Sequence, residues 1–303
     1  MTRRNAILLA AVASAEAVTP QKAGNRLVVK STTGLEITPH GDPNRPALAV
    51  ASEHHKSTVA VIEFPEHAWT RRLGGAEPEW YYRMYGGDSR YQGKVTWSQI
   101  GNALRYVMTV PSGFELTGIA TLEDDGVQID YRIANPSSTA FVETQAPTCI
   151  KLYRPFTDVF LERTYVHHAD GLDLIASETP ERLAKNAEEW LPCRYIVRCS
   201  PEVAAPKDRV ERLEGITRYH KMRAADAPFI ATESTPAGWV AATHTLKCLS
   251  LFTNPARTCH HTDPGVPIPA NGSADLSLRF YLFRGTSGDA WELVARRRRL
   301  NRV

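Results

Sequence analysis

A short segment near the C-terminus, Cys259-His260-His261-Thr262-Asp263-Pro264, holds the densest group of side chains capable of chemistry. Imidazoles exchange protons near neutral pH, and a neighbouring carboxylate can orient one of them. We therefore expect His260, His261 and Asp263 to be catalytic or to contact a ligand, in a loop that the surrounding prolines indicate. Two alternatives are a metal site and a hydrogen-bond network that only stabilises the loop. If the segment is a strand, only one of the two histidines can face a given pocket, because neighbouring side chains point in opposite directions.

A second segment, Glu79-Trp80-Tyr81-Tyr82-Arg83-Met84-Tyr85-Gly86-Gly87, is rich in aromatic residues. Aromatic planes accept the flat C–H faces of sugar rings, while charged groups bind the hydroxyls. This predicts substrate contacts from Trp80, Tyr82 and Arg83. The alternative is that alternate residues of the segment belong to the core.

Cationic and acidic residues elsewhere extend the set of candidates. Lys151 and Tyr153 share one face of a strand-like stretch that continues to Arg154, a row suited to binding a substrate such as a uronate. Glycoside cleavage would instead need two carboxyl groups roughly 5–10 Å apart. The acids considered for such a pair are Glu143, Asp158, Glu162, Glu233 and Asp263.

Three further groups have weaker functional readings. The pairs His54-His55 and His167-His168 resemble the C-terminal segment, but one half-buried and one solvated histidine would explain each. The run Arg296–Arg299 is typical of the solvated face of a terminal helix, and no nucleic-acid-binding motif accompanies it. We therefore expect no nucleic-acid partner, and no phosphate loop or dinucleotide fingerprint indicates an organic cofactor.

The elements that must position these residues are mainly strands. Residues 114–123 alternate apolar and polar side chains, Asp124-Asp125-Gly126 supplies a turn, and residues 127–133 alternate again, which predicts a β-hairpin. The same pattern over residues 276–283 predicts a strand near the C-terminus. Weaker strand candidates cover residues 26–30, 58–64, 94–100, 104–110, 158–167, 195–198, 215–220, 238–244 and 247–252.

Many short strands separated by turns predict an all-β fold, a large antiparallel β-sandwich. Helices are predicted over residues 179–190 and, at the C-terminus, over residues 287–302, with a weaker one over residues 208–213. We expect residues 18–303 to form a single domain, since nothing resembles a linker or a repeat.

Composition and the N-terminal sequence indicate the partners and the cellular compartment to expect. The 303 residues carry a net charge of +3, too balanced to indicate a polyanion partner, and no apolar run approaches the ~20 residues of a membrane span. Residues 1–17 combine a basic start, an apolar core and small-residue cleavage sites, which predicts a signal peptide and export to the periplasm or the medium. Five cysteines cannot all pair, although Cys193 and Cys199 could form a disulfide in an oxidising compartment.

Segments in the C-terminal half of the chain resemble bacterial proteins of the galactose mutarotase-like superfamily. The segments that carry the resemblance are Gly238-Trp239-Val240, Cys259–Pro264, Pro269–Ser273, Tyr281–Gly285 and Leu161–Val166, which includes Arg163. The resemblance implies a supersandwich fold and a carbohydrate ligand, with Arg163 among the substrate contacts. The His-x-Tyr-Phe-Asn-type motif of true aldose mutarotases is absent, so a lyase, hydrolase or epimerase reaction, a non-catalytic carbohydrate-binding role and a structural role in the cell envelope all stay open.

Overall fold

The computed structural model describes residues 27–42, 44–72, 79–83, 88–111, 115–213 and 215–300. The predicted signal peptide, residues 1–17, lies outside these residues. Within them the fold is a β-sandwich of three sheets, which confirms the predicted class. One strand pair is parallel and the others are antiparallel in the described ranges.

The largest sheet contains ten of the described strands and carries the histidine segment. In spatial order they are β1 (Val29–Lys30), β2 (Leu35–Pro39), β3 (Ala47–Ser52), β4 (Ser57–Glu63), β12 (Thr148–Leu152), β21 (Cys259–Asp263), β20 (Ser250–Thr253), β15 (Cys193–Arg198), β17 (Ile216–Lys221) and β16 (Val210–Leu213). The parallel pair is β15 with β17.

The sheet that faces it has nine described strands. Their spatial order is β14 (Gly171–Leu174), β13 (Thr164–His168), β18 (Phe229–Glu233), β19 (Trp239–Thr245), β23 (Ser273–Arg284), β10 (Gly126–Ala134), β9 (Glu115–Glu123), β8 (Ala103–Thr109) and β7 (Lys94–Ile100). A third, four-stranded sheet has the order β22 (Gly265–Ile268), β11 (Phe141–Gln145), β5 (His67–Arg72) and β6 (Glu79–Arg83).

The predicted hairpin is β9 and β10, and its alternation is visible in burial. Leu116, Ala120, Ile129 and Ile133 point into the sandwich, while the residue on each side of them in the sequence is more exposed. Gly126 begins β10 with a φ of 149°, and a Cβ there would lie 2.0 Å from a backbone oxygen of β23. The turn therefore needs glycine both for its conformation and for the close approach of β23.

The main core lies between the inner faces of the sheets. Residues such as Ile62 and Ile150 from the ten-stranded sheet, Phe280 from the nine-stranded sheet and Phe141 from the four-stranded sheet are at most 1% exposed. Each such side chain contributes about 1.5–3 kcal/mol by leaving water. This apolar layer fixes which face of each strand points outward and is available to a ligand.

The C-terminal helix covers part of the other outer face. Helix α2 (Ser287–Arg299) begins with a capping box between Thr286 and Asp289. Ala290 and Val294 pack it against apolar residues of the nine-stranded sheet such as Phe229. The prediction of this helix is confirmed, and its last turn carries Arg296–Arg299, where cations favour the helix dipole.

Three local predictions are wrong. The helix predicted over residues 179–190 is a 3₁₀ turn, Pro180–Ala184, followed by the four-residue helix α1, Ala187–Trp190, because Asn186 caps a new helix with Glu189. In place of the helix predicted over residues 208–213, the structure has the edge strand β16, Val210–Leu213. Residues 259–263 are the interior strand β21, not a loop, because Pro264 only separates β21 from β22 and Pro267 lies within β22. No helix in the described ranges is long and apolar enough to cross a membrane.

Candidate functional site

The two adjacent histidines of β21 lie on opposite faces of the ten-stranded sheet, as strand geometry requires. His260 points into the sandwich and is fully buried. Its Nε2 lies 2.9 Å from the hydroxyl of Thr232, and its Nδ1 lies 3.1 Å from that of Thr243. Burial lowers the pKa of His260 to about 3, so the ring is neutral. With both nitrogens engaged between two sheets, His260 joins the layers of the sandwich and is not part of the site proposed below.

His261 lies on the outer face, between two carboxyl groups. Its Nε2 is 2.9 Å from Oε2 of Glu66, and its Nδ1 is 3.4 Å from Oδ1 of Asp263. The ring of Phe252 covers it at a centroid distance of 3.7 Å. His261 and Asp263, two of the residues predicted from the sequence, are thus in contact, and Glu66 is a third member that the sequence analysis missed.

The charges in this group depend on one another. Burial alone lowers the pKa of His261, but its hydrogen bonds to Asp263 and Glu66 outweigh burial and raise the pKa to about 10. Burial likewise opposes ionisation of Glu66, yet the hydrogen bond and positive charge of His261 hold its pKa below the usual value. The metal-free site therefore contains an imidazolium paired with a carboxylate at neutral pH.

His67 extends the site toward the four-stranded sheet. It follows Glu66 at the start of β5, and its Nδ1 is 3.8 Å from Oε2 of Glu66. Burial lowers the pKa of His67 and outweighs the negative charge of Glu66, which acts to raise it. The imidazole is therefore neutral. The signal available in the sequence was the Pro65-Glu66-His67 step at the end of an apolar strand, where functional groups are often displayed.

Trp80 and Arg83 lie beside His67, as members of the neighbouring strand β6. The His67 and Trp80 rings have a centroid distance of 5.5 Å, and the Arg83 guanidinium lies 4.4 Å from the Trp80 ring centroid. Tyr82, predicted to bind substrate, is 1% exposed and belongs to the core under the four-stranded sheet. The pairing of β5 with β6 shifts register between Trp80 and Tyr82, and this irregularity interrupts the alternation of β6, so that Trp80 and Arg83 are in reach of a ligand while Tyr82 turns inward.

The other predicted substrate contacts are distributed more widely. Lys151 lies on the same outer face, and its Nζ is 2.5 Å from Oε1 of Glu63. Tyr153 follows β12 and is 42% exposed, with no described link to His261. Arg163 donates its guanidinium hydrogens to the carbonyls of Glu233 and Thr157, beside the nine-stranded sheet.

Several remaining candidates have structural partners. Asp158 accepts hydrogen bonds from the backbone of Glu162 and Arg163, and Glu233 accepts them from Ser287 at the start of α2. His54 and His55 lie at the far end of β4, in a cleft of about 380 Å³ lined also by Trp239 and Arg284.

Two other histidines and one acid also have assigned contacts. His167 stacks on Trp291 at 3.6 Å, and His168 contacts the carbonyl of Ala224. Glu143 accepts a hydrogen bond from Gln145. None of these groups joins His261.

Two buried thiols complete the outer face. Cys149, Cys259 and His261 have donor atoms within 4.8 Å of one another, as do Glu63, Glu66 and Cys149. These are the described groups with enough closely spaced donors to hold a metal ion. All five cysteines are free thiols in the structure, so the possible Cys193–Cys199 disulfide is not formed.

Comparison with known proteins finds likeness at the level of structure. No protein-family model matches the chain. No curated protein matches it either. The Slr1438 protein from Synechocystis sp. PCC 6803 superposes with a TM-score of 0.50 at 9% identity, over 88% of this chain and 98% of that one.

Two further neighbours have descriptive names. A galactose mutarotase-like protein from Lactobacillus casei matches with a TM-score of 0.49 at 12% identity, over 86% of this chain and 100% of that one. A putative aldose 1-epimerase from Escherichia coli K12 matches with a TM-score of 0.46 at 8% identity, over 86% of this chain and 100% of that one. Structures with galactose mutarotase-like names are therefore neighbours of this chain, as the sequence resemblance predicts, and at these identities the likeness concerns the fold alone.

Proposed function

We propose that the protein acts on a sugar or oligosaccharide by acid–base chemistry at Glu66 and His67, on the outer face of the ten-stranded sheet. The observation that carries this proposal is the group formed by Glu66, His67, Trp80 and Arg83. It combines a carboxylate, an imidazole, an indole and a guanidinium within a few ångströms of one another. Each has a function in sugar recognition or proton transfer.

Binding would begin at Trp80. A sugar ring packs its C–H face on the indole, and Arg83, whose side chain is exposed, binds ring hydroxyls or a uronate carboxylate. Because the Trp80 ring is close to His67, the bound ring brings its own oxygens next to the carboxylate and the imidazole. Tight positioning of this kind supplies a large part of the rate in acid–base reactions.

The chemistry would be proton exchange between the sugar and the Glu66–His67 pair. Glu66 takes the proton of the anomeric hydroxyl and returns it to the ring oxygen as the bond between that oxygen and the anomeric carbon breaks, while the N–H of His67 donates a hydrogen bond to the ring oxygen. Closure of the open-chain aldehyde on its other face reverses these transfers and gives the other anomer. A separation of 3.8 Å between the two groups suits two oxygens on one carbon, as at an anomeric centre. Carboxylate pairs that cleave glycosides are roughly 5–10 Å apart, so we favour the epimerase class over the hydrolase class.

His261 and Asp263 hold Glu66 in position from the more buried side of the site. His261 is only 3% exposed, and its ring nitrogens already face Glu66 and Asp263. We assign it a positioning role, because it fixes the orientation of the Glu66 carboxylate. Asp263 fixes His261 in turn and accepts a hydrogen bond from Ser250.

The test combines a binding screen with a measurement of turnover. Neutral and uronic sugars are screened by thermal shift, since a ligand that binds only the native state raises Tm. Each sugar that binds is then followed by exchange NMR, which detects anomeric interconversion as well as new products. A sugar that binds and is converted supports the enzyme, and a sugar that binds without conversion supports the competing non-catalytic binding module.

Matched variants separate the functions of the residues. Glu66→Gln and His67→Asn should each lower the turnover rate by about 10²–10⁴-fold, while Trp80→Ala should weaken binding. Glu188→Gln and His40→Asn, at exposed positions away from the group, serve as controls. Unchanged turnover in both Glu66→Gln and His67→Asn would refute the assignment, as would the absence of binding across the whole sugar panel.

Export is part of the same proposal. The basic and apolar pattern of residues 1–17 supports it. Expression of the full chain in a bacterial host, followed by N-terminal sequencing of the mature protein, should find cleavage after Ala15 or Ala17. An uncleaved protein retained in the cytoplasm would contradict export without affecting the site.

A further inference from the structure

The outer face of the ten-stranded sheet brings two thiols and an imidazole together. Strands β12 and β21 pair so that Cys149 lies opposite His261 and Lys151 lies opposite Cys259. Cys149 and Cys259 are therefore diagonal neighbours on the same face. Their sulfur atoms and a His261 nitrogen all lie within 4.8 Å of one another, and none of the three residues is more than 3% exposed.

This donor set matches the preference of one metal in particular. Zinc combines thiolate and imidazole ligands, at about 2.3 Å for sulfur and 2.0–2.1 Å for nitrogen, in tetrahedral geometry. Ligand atoms of this kind around a tetrahedral ion lie roughly 3.5–3.8 Å from one another, so the three donors need to approach by at most about 1.3 Å. We propose that Cys149, Cys259 and His261 bind a zinc ion.

The surroundings supply what such a site needs beyond its three ligands. A metal-bound histidine commonly donates its second N–H to a carboxylate, and Glu66 and Asp263 each lie within reach of a His261 nitrogen. The backbone N–H of Asn254 donates to the sulfur of Cys259 at 3.2 Å, which stabilises a thiolate. An oxygen of Glu63 lies within 4.8 Å of the Cys149 sulfur and can complete the coordination.

The zinc site shares His261 with the proposed sugar site, where that residue positions Glu66. Its ligands lie deeper than Trp80 and Arg83, and it can stabilise the strand pair β12–β21 whether or not a sugar binds above it. Metal binding would replace the proton on His261 and release the thiol protons to solvent. The cobalt spectrum reports metal binding and exchange NMR reports sugar conversion, so the failure of each proposal can be recognised separately.

The primary test is metal substitution in the reduced full-length protein. After removal of metal with a chelator, Co²⁺ is titrated in and the absorbance spectrum is recorded. We expect about one equivalent to bind with a thiolate-to-cobalt charge-transfer band in the near ultraviolet and visible bands of a tetrahedral centre. Zn²⁺ should then displace the cobalt and raise Tm relative to the chelated protein.

Variants locate the site. Cys149→Ser and Cys259→Ser should each remove the charge-transfer band and weaken Zn²⁺ binding by at least about tenfold, the lower end of the effect of losing a site residue. Cys193→Ser is the matched control, because Cys193 is an equally buried thiol in a separate core cluster, and it should keep full binding. Equal loss in all three variants, or no loss in the first two, would overturn the proposal.

A measurement on the unmodified protein covers the case in which the serine variants fail to fold. X-ray absorption of the Zn²⁺-loaded protein should show two sulfur scatterers at about 2.3 Å and nitrogen or oxygen scatterers at about 2.0–2.1 Å. A shell of only nitrogen and oxygen, or no metal bound by the reduced wild-type protein, refutes the site.

Discussion

Replacing His260 with alanine should destabilise the fold rather than remove a catalytic group. The ring joins β21 of one sheet to β18 and β19 of the other through the hydroxyls of Thr232 and Thr243. A neutral imidazole offers one donor and one acceptor, and two hydroxyls can satisfy both. The alanine variant loses both bonds and leaves a cavity in a fully buried position.

The expected loss follows from these contacts. Each neutral hydrogen bond contributes about 1 kcal/mol to the free energy of unfolding, and truncating a large buried side chain to alanine costs roughly 2–5 kcal/mol. Thr232 keeps its hydrogen bond to Thr164 at 2.9 Å, which limits the loss on that side. We therefore expect His260→Ala to lower the free energy of unfolding by about 3–5 kcal/mol.

Urea denaturation followed by circular dichroism measures this quantity, with a double-mutant cycle between His260→Ala and Thr243→Val to isolate the bond. The cycle should give a coupling energy of about 1 kcal/mol. The exposed His40→Ala serves as the control and should change stability by less than about 0.5 kcal/mol. A loss below about 1 kcal/mol for His260→Ala, accompanied by loss of turnover on a sugar, would refute this reasoning and restore a catalytic function to His260.

Two further predictions concern stability and a third concerns the oxidation state of the cysteines. Burial lowers the pKa of His244 to about 3, below the usual 6.5, so its contribution is complete above pH 6.5 and is lost as the pH falls. His244→Leu should reduce the acid-side loss of unfolding free energy by at most about 5 kcal/mol, and an unchanged pH profile between 6.5 and 4 would contradict this. Thr286→Ala removes the capping box of α2 and should cost about 1 kcal/mol in urea denaturation, with no loss expected if the helix end were frayed. Thiol titration in denaturant should find five free thiols, and a count of three would mean that one pair of cysteines is bridged.

The sequence predicted the parts of the fold that depend on local patterns. The hairpin of β9 and β10 and the strand β23 have period-two alternation that is read within a few residues. The helix over residues 179–190 was predicted wrongly because a capping residue, Asn186, lies inside an otherwise helical pattern. Strand β21 was predicted as a loop because its flanking prolines outweighed its own alternation.

The candidate site was harder to predict because its members meet only through strand pairing. Glu66 approaches His261 because β4 pairs with β12 and β12 pairs with β21. That register is set by distant segments and cannot be read from either residue's neighbours. Within β6, alternation would place Trp80 and Tyr82 on the same face, and the register shift in the β5–β6 pairing that separates them depends on the partner strand.

The contrast between His260 and His261 shows that the face of a strand, rather than the residue type, decides what a histidine does here. On the inner face the ring meets only hydroxyls in an apolar layer, so burial keeps it neutral and makes it a link between sheets. On the outer face an equally buried ring meets two carboxyl groups, which stabilise its charge. A buried cation survives only where such partners compensate for the lost water. Glu66 reaches His261 from the chain segment that begins the four-stranded sheet. The packing of the four-stranded sheet against the ten-stranded sheet therefore creates the charged side of the site. Any change that separates these two sheets should remove the site before it unfolds the sandwich.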